Sequence, residues 1–177
     1  MRGQEPARSA ETCGVERWPV KTMTDARARW VNLDARTTSV RRLRALAVEG
    51  NLGLRSRGVE TTTYRLRARL VSMKVEADSD VHLVIADTRD PSETMIVEFP
   101  ASDCTRGAKR ALRLRMSDAK RRLFGGCGTP GASGFTNLTG RATITGVGFF
   151  DFRHGQRGVA PNGIELHPVI GFSNATC

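Results

Sequence analysis

The sequence predicts a mainly β protein, five strands with one helix between the third and the fourth, in the order β-β-β-α-β-β, behind an N-terminal helical extension. Three observations predict it. From Tyr64 onward apolar residues recur with a period of two, as in a strand with one dry and one wet face. One stretch of that half, Thr105 to Gly126, returns to the period of a helix. Turn-forming clusters, "ADSD", "TRDPSE" and the Gly/Thr/Ser-rich run at 125–140, separate the apolar stretches.

Residues 1–12 are polar and aperiodic and read as a disordered lead. Residues 13–61 form the extension. Within it Val40, Leu43, Leu46 and Ala47 recur at helical spacing behind the N-cap candidates Thr38 and Ser39, with Gly50 at the C-cap position. This predicts a short amphipathic helix, after which "GNLGLRSRGVET" reads as a linker. The barrel domain is expected over 62–177. Its first strand places Tyr64, Leu66, Ala68 and Leu70 on one face and Arg65, Arg67 and Arg69 on the other. After Leu70 the phase slips by one, and Val71, Met73 and Val75 become the apolar set, as at a β-bulge or a sharp bend. "VHLVIAD" and "TMIVEFP" continue the meander. Ala108, Leu112, Met116, Ala119 and Leu123 then share one helical face, and Gly125 and Gly126 end that helix. "RATITGVGFFDF" and "GIELHPVIGF" are the fourth and fifth strands.

This order is the one expected of an OB-like β-barrel, whose helix sits between strands three and four and plugs one end. Two loops flank the usual ligand face of such a barrel, here the hairpin Ala77–Asp80 and the connection 151–162. A length of 177 residues with 39% hydrophobic and 26% charged side chains suits one compact domain. The net charge of +10 invites a polyanionic partner, although 24 of the 28 basic residues are Arg, a skew that genome composition alone can produce. No window approaches the ~20 apolar residues of a membrane span. The N-terminus lacks the apolar core of a secretory signal, so the chain as written is expected to start in the cytoplasm. Cys13, Cys104, Cys127 and Cys177 lack the paired spacing of a zinc or redox motif. They read either as free thiols or as two disulfides of an exported protein, in any of three pairings.

Polar residues gather beside the two loops: Asp80, His82, Asp151, His154, Gln156, Asn162, Glu165 and His167. One reading is structural: Asn162-Gly163 makes the turn, Pro161 fixes the approach, Gly155 and Gly158 allow positive φ, and Asp151 accepts backbone N–H groups. The other is a divalent metal held by Asp78, Asp80, His82, His154, Glu165 and His167, with Glu165 and His167 on the same strand face. None of these spacings is an HExxH or EF-hand pattern, and no nucleophile elbow, phosphate loop or dinucleotide fingerprint is present. Phe149, Phe150 and Phe152 are candidates to stack on bases, with core packing the competing use. Arg65, Arg67 and Arg69 form the clearest basic stripe and are the candidate polyanion contacts.

The segments "CGVERWPVKTMTD", "EADSDVHLVIAD", "TMIVEFP" and "GVGFFDFRHGQRGVAPNGIELHPV" together resemble a group of bacterial proteins built around the same blocks, over roughly residues 13–172. The resemblance is most specific in the last block. It implies export, and with it disulfides, and no particular activity. The element order is also similar to the OB scaffold of staphylococcal-type nucleases, but their "DGDT"-like motif has no counterpart in "EADSDVH", so none of their site residues carries over. The expected function is a binding module for nucleic acid or another polyanion. The alternatives are a metal-dependent phosphodiesterase or nuclease, and a structural or protein-binding domain.

Overall fold

The computed structural model describes residues 13–48, 52–131 and 134–177. The expectations for the lead at 1–12 and for Gly50 lie outside them. The extension contains α1 (Trp18–Lys21), β1 (Asn32–Thr37) and α2 (Val40–Arg44). The domain that follows contains β2 (Thr62–Val75), β3 (Val81–Ala86), β4 (Thr94–Phe99), α3 (Arg110–Cys127), β5 (Thr136–Asn137), β6 (Arg141–Phe150) and β7 (Ile164–Thr176). No helix among the described residues is long and apolar enough to cross a membrane.

Five strands close into a barrel in the order β2-β3-β4-β7-β6 and back to β2, with β4 and β7 parallel and the other neighbours antiparallel. This is the OB-like arrangement. Closure depends on β2 serving two ladders: residues 63–69 pair with β6, and residues 69–75 pair with β3. The register shifts between Leu70 and Ser72, the position of the phase slip in the sequence, because a strand that changes partners must bend. Val75, expected inside, ends up 46% exposed at the end of β2.

The core is lined by alternate residues of each strand, among them Leu66, Met73, Leu83, Val97, Ile144 and Leu166, each no more than 1% exposed. α3 closes one end. Ala108, Leu112, Met116, Ala119 and Leu123, the five residues of the predicted face, are all buried. Gly125 and Gly126 do not end the helix, which runs to Cys127 before Gly128 turns with φ 78°.

Three departures have local causes. β1 runs parallel to β2, with Thr37 opposite Arg65. It had no period-two signal, because five of its six residues are exposed and its strand form comes from the partner alone. β5 likewise pairs two residues of the glycine-rich loop with β2 beyond the bulge. The helix expected from 38 to 50 stops at Arg44, although Ser39 caps it as expected by accepting from Arg42 N at 3.3 Å. Asn162 donates through its Nδ2 to the carbonyls of Leu43 and Leu46 around that end, at 3.0 and 2.9 Å.

The rest of the extension, residues 13–31, lies across the outside of the barrel. Met23 packs with Val147, Ile170 and Met116. Arg17 sits 4.6 Å over the Phe149 ring and pairs with Glu60 at 2.8 and 2.9 Å. Arg55, 1% exposed, ties this arm to the linker through Asp25, Val20 O and Glu60 O. Two disulfides, Cys13–Cys104 and Cys127–Cys177, fasten the arm to the segment after β4 and the end of α3 to the C-terminus.

Candidate functional site

Strand alternation sends His82 and Val84 of β3, Ile96 and Glu98 of β4, and Glu165 and His167 of β7 to the outer face of the barrel. Register then brings the polar ones together, because His82 stands opposite Glu98 and Ile96 opposite Glu165. This outer face is where an OB barrel ordinarily meets its ligand. Here it is covered. Loop 151–162 presses on β3, with Gly158 so close to Val84 that a Cβ there would overlap its side chain. The arm covers β6 and β7, and its Lys21 reaches Asp151 at 3.0 Å.

The enclosed residues form a chain of charge contacts. His82 Nε2 lies 3.0 Å from the carbonyl of Arg157, and since a carbonyl only accepts, this nitrogen carries the proton. His82 Nδ1 faces Glu98 Oε1 at 3.2 Å and Glu76 Oε1 at 3.4 Å. Glu98 Oε2 lies 3.2 Å from His167 Nδ1, and His167 Nε2 lies 3.4 Å from Asp80 Oδ2. Asp80 Oδ1 accepts from Ala101 N at 2.8 Å. The contacts of His167 are within charge-pairing distance but off hydrogen-bond alignment: neither ring nitrogen, nor Asp80 Oδ2, nor Glu165 Oε2 has an aligned partner, and all are buried.

Burial alone would raise the Glu98 carboxyl, but the His167 and His82 imidazoles that face its two oxygens, with the charge of Lys21, outweigh burial and hold Glu98 far below the usual carboxylate range. Glu165 goes the other way. Burial, then the charges of Glu98 and Asp151, push it well above its ordinary value, which favours the neutral acid. Burial lowers His167, yet Asp80 and Glu98 raise it to about 9. Asp78 is raised by burial and by the charge of Asp80. The face therefore sets two carboxyls shifted in opposite directions beside a raised imidazole, the divergence of pKa values that general acid–base chemistry uses.

Of the residues singled out in the sequence, Asp80, His82, Glu165 and His167 meet in this centre, Asp151 flanks it through Lys21, and Asp78 stands at its edge. His154 does not join them; its side chain is 61% exposed, 3.5 Å from Glu16. Gln156 holds the loop, accepting from His154 N and donating to Phe152 O. Asn162 fastens α2 and also accepts from Ile164 N. Phe149 and Phe150 are buried and unavailable for stacking, because the arm covers one and the core takes the other, while Phe152 is 38% exposed. Sequence reasoning missed Glu98 and Lys21. Glu98 had a signal, a lone carboxylate in the otherwise apolar run "TMIVEF".

A second feature lies on the outer face of the β2–β6 ladder. Arg65 stands opposite Thr145, Arg67 opposite Thr143 and Arg69 opposite Arg141, so these six side chains share one face. An open groove of ≈ 410 Å³ adjoins it, lined by Thr37, Ser39, Arg41, Arg42, Arg67 and Arg89 among others. Among the described residues Arg42, Arg65, Arg67 and Arg89 have no carboxylate partner, whereas Arg41 pairs with Glu93. Asp87, also in the groove, directs its oxygens to the amides of Arg41 and Arg89. At the other end of β1, Trp30 is 41% exposed, with the guanidiniums of Arg27, Arg29 and Arg57 at 5.1–5.6 Å from its ring. No protein-family model, curated protein or solved structure matches the chain.

Proposed function

We propose that the protein is a nucleic-acid-binding module that holds the phosphate backbone on the outer face of β2 and β6 and in the adjoining groove. The observation that carries this reading is the set of unpaired guanidiniums, Arg42, Arg65, Arg67 and Arg89, beside Thr143, Thr145 and Ser39. Cations with no protein partner gain most from a phosphate, because no ion pair must first be broken. The exposed Trp30 with its three arginines supports a nucleic acid over other polyanions, since an exposed indole offers bases a stacking surface. The ligand face is thus displaced from its usual place on an OB barrel, where loop 151–162 and the arm now lie. Two disulfides fit a working place outside the reducing cytoplasm.

Fluorescence anisotropy with labelled single- and double-stranded DNA and RNA, from 50 to 300 mM salt, tests the reading. Replacing Arg65, Arg67 and Arg141 with Gln is expected to lower the slope of log K against log salt by about 0.7–0.9 for each phosphate that is no longer neutralised. Wild-type protein that binds none of the probes at the lowest salt, or an unchanged slope in the triple variant, overturns it. The rival reading, a metal-dependent phosphodiesterase working at the Asp80–His167 centre, requires a polymer substrate to displace residues 13–31, and cleavage of the same probes with added divalent cation would favour it.

A further inference from the structure

We propose that Asp80, Glu98 and His167 bind one divalent first-row transition-metal ion, of the Zn²⁺ or Mn²⁺ kind, beneath the arm. One potential ligand atom from each of the three lies within 4.8 Å of those of the other two. The two carboxylates are prepared in the same way. Asp80 is anchored through Oδ1 to the Ala101 amide and leaves Oδ2 beside His167. Glu98 is held through Oε1 by His82, itself fixed by the Arg157 carbonyl, and leaves Oε2 beside His167. Each carboxylate is thus oriented by an outer partner with one oxygen presented inward, the arrangement that holds metal ligands in register.

Apart from Glu98 Oε2, the presented atoms make no aligned hydrogen bond. Asp80 Oδ2 and both nitrogens of His167 lack an aligned hydrogen-bond partner although Asp80 and His167 are each 0% exposed. Glu165 Oε2 is a fourth buried orphan, and its charged neighbours are Glu98, Asp151, His167 and Lys21. Buried polar atoms without partners are costly, and a cation bound through one of the two His167 nitrogens satisfies that nitrogen and the carboxylate oxygens without the linear geometry a proton needs. Charge points the same way. Among the described residues the carboxyl groups of Asp78, Asp80, Glu76, Glu98, Asp151 and Glu165 outnumber the basic side chains that face them, Lys21, Lys74, His82 and His167. An imidazole among the donors selects a transition ion over Ca²⁺ or Mg²⁺, which take oxygen ligands. The site does not overlap the arginine face, so it stands or falls apart from nucleic-acid binding.

The test uses the full oxidised chain, stripped with a chelator and titrated with ZnCl₂ or MnCl₂ in the absence of nucleic acid. Calorimetry is expected to give one ion per chain, with a raised Tm, and CaCl₂ or MgCl₂ at the same concentration to give neither. Asp80→Asn and Glu98→Gln are expected to bind at least about 10-fold more weakly, and His154→Ala to bind as the wild type does. Pulsed EPR of the Mn²⁺-loaded wild type supplies a readout that needs no variant, a coupling to imidazole nitrogen. Folded wild type that takes up no ion after prolonged incubation overturns the proposal. So do undiminished affinity in both carboxamide variants and bound Mn²⁺ without a nitrogen coupling.

Discussion

Arg17 and Glu60, 43 residues apart, carry the largest consequence of any single contact outside the acid–histidine centre. Their side chains are 3% and 1% exposed, and Glu60 also accepts from the amides of Phe150 and Ser56 at 3.0 and 2.7 Å. Burial would raise this carboxyl, but the Arg17 hydrogen bonds and the two amides hold it below its ordinary value. A group depressed in the folded state stabilises above its unfolded pKa and loses that contribution as the pH falls. Glu60→Gln strands a buried guanidinium and is expected to cost about 3–5 kcal/mol at pH 7. The gap to wild type, followed by urea midpoints, should narrow between about pH 5 and pH 3, and a gap constant across that range would refute the assignment. Nothing local in the sequence marks this pair, since neither residue sits in a periodic stretch. His82 and His167 were legible as imidazoles beside the two loops. Their burial was not, because loop 151–162 and the arm, which close over this face, carry no periodicity that shows where they lie.

Among the elements, those that bury a face by their own periodicity were legible, and those made by a partner were not. α3 announced itself through apolar residues at intervals of three and four, and the bend of β2 through its phase slip. β1 and β5 carry no such pattern and exist only because β2 offers an edge to each. The same logic ranks substitutions on α3. Leu123, 0% exposed and packed into the barrel end, is expected to lose about 2–5 kcal/mol on Leu123→Ala. Leu114, 60% exposed on the opposite side, should change by less than about 0.5 kcal/mol on Leu114→Ala. Equal losses in chemical denaturation would mean that the helix does not plug the barrel by this face.

Across the whole molecule, the arm and the barrel are one cooperative object joined by the Arg17, Arg55 and Lys21 contacts and by the Cys13–Cys104 bond. The barrel order was readable from the sequence of turns and periods, whereas the occupation of its outer face was not, because an aperiodic segment folds onto whatever surface complements it. Four cysteines allow three pairings, and the fold selects the one that joins the arm and the segment after β7 to the two sides of α3.

That pairing fixes how the protein would bear a mechanical load. Traction applied at positions 13 and 177 crosses from Cys13 to Cys104, follows the backbone to Cys127 and crosses again to Cys177. The barrel strands lie inside covalent loops and outside the line of force. Between those two points of attachment only the 23 residue steps from 104 to 127, mostly α3, can lengthen, or roughly 80 Å of contour at ~3.3–3.6 Å per residue. Optical-trap extension of the oxidised chain should show that one short step, and the reduced chain a several-fold longer one, so that α3 works as a pull-out link while the barrel is shielded from tension.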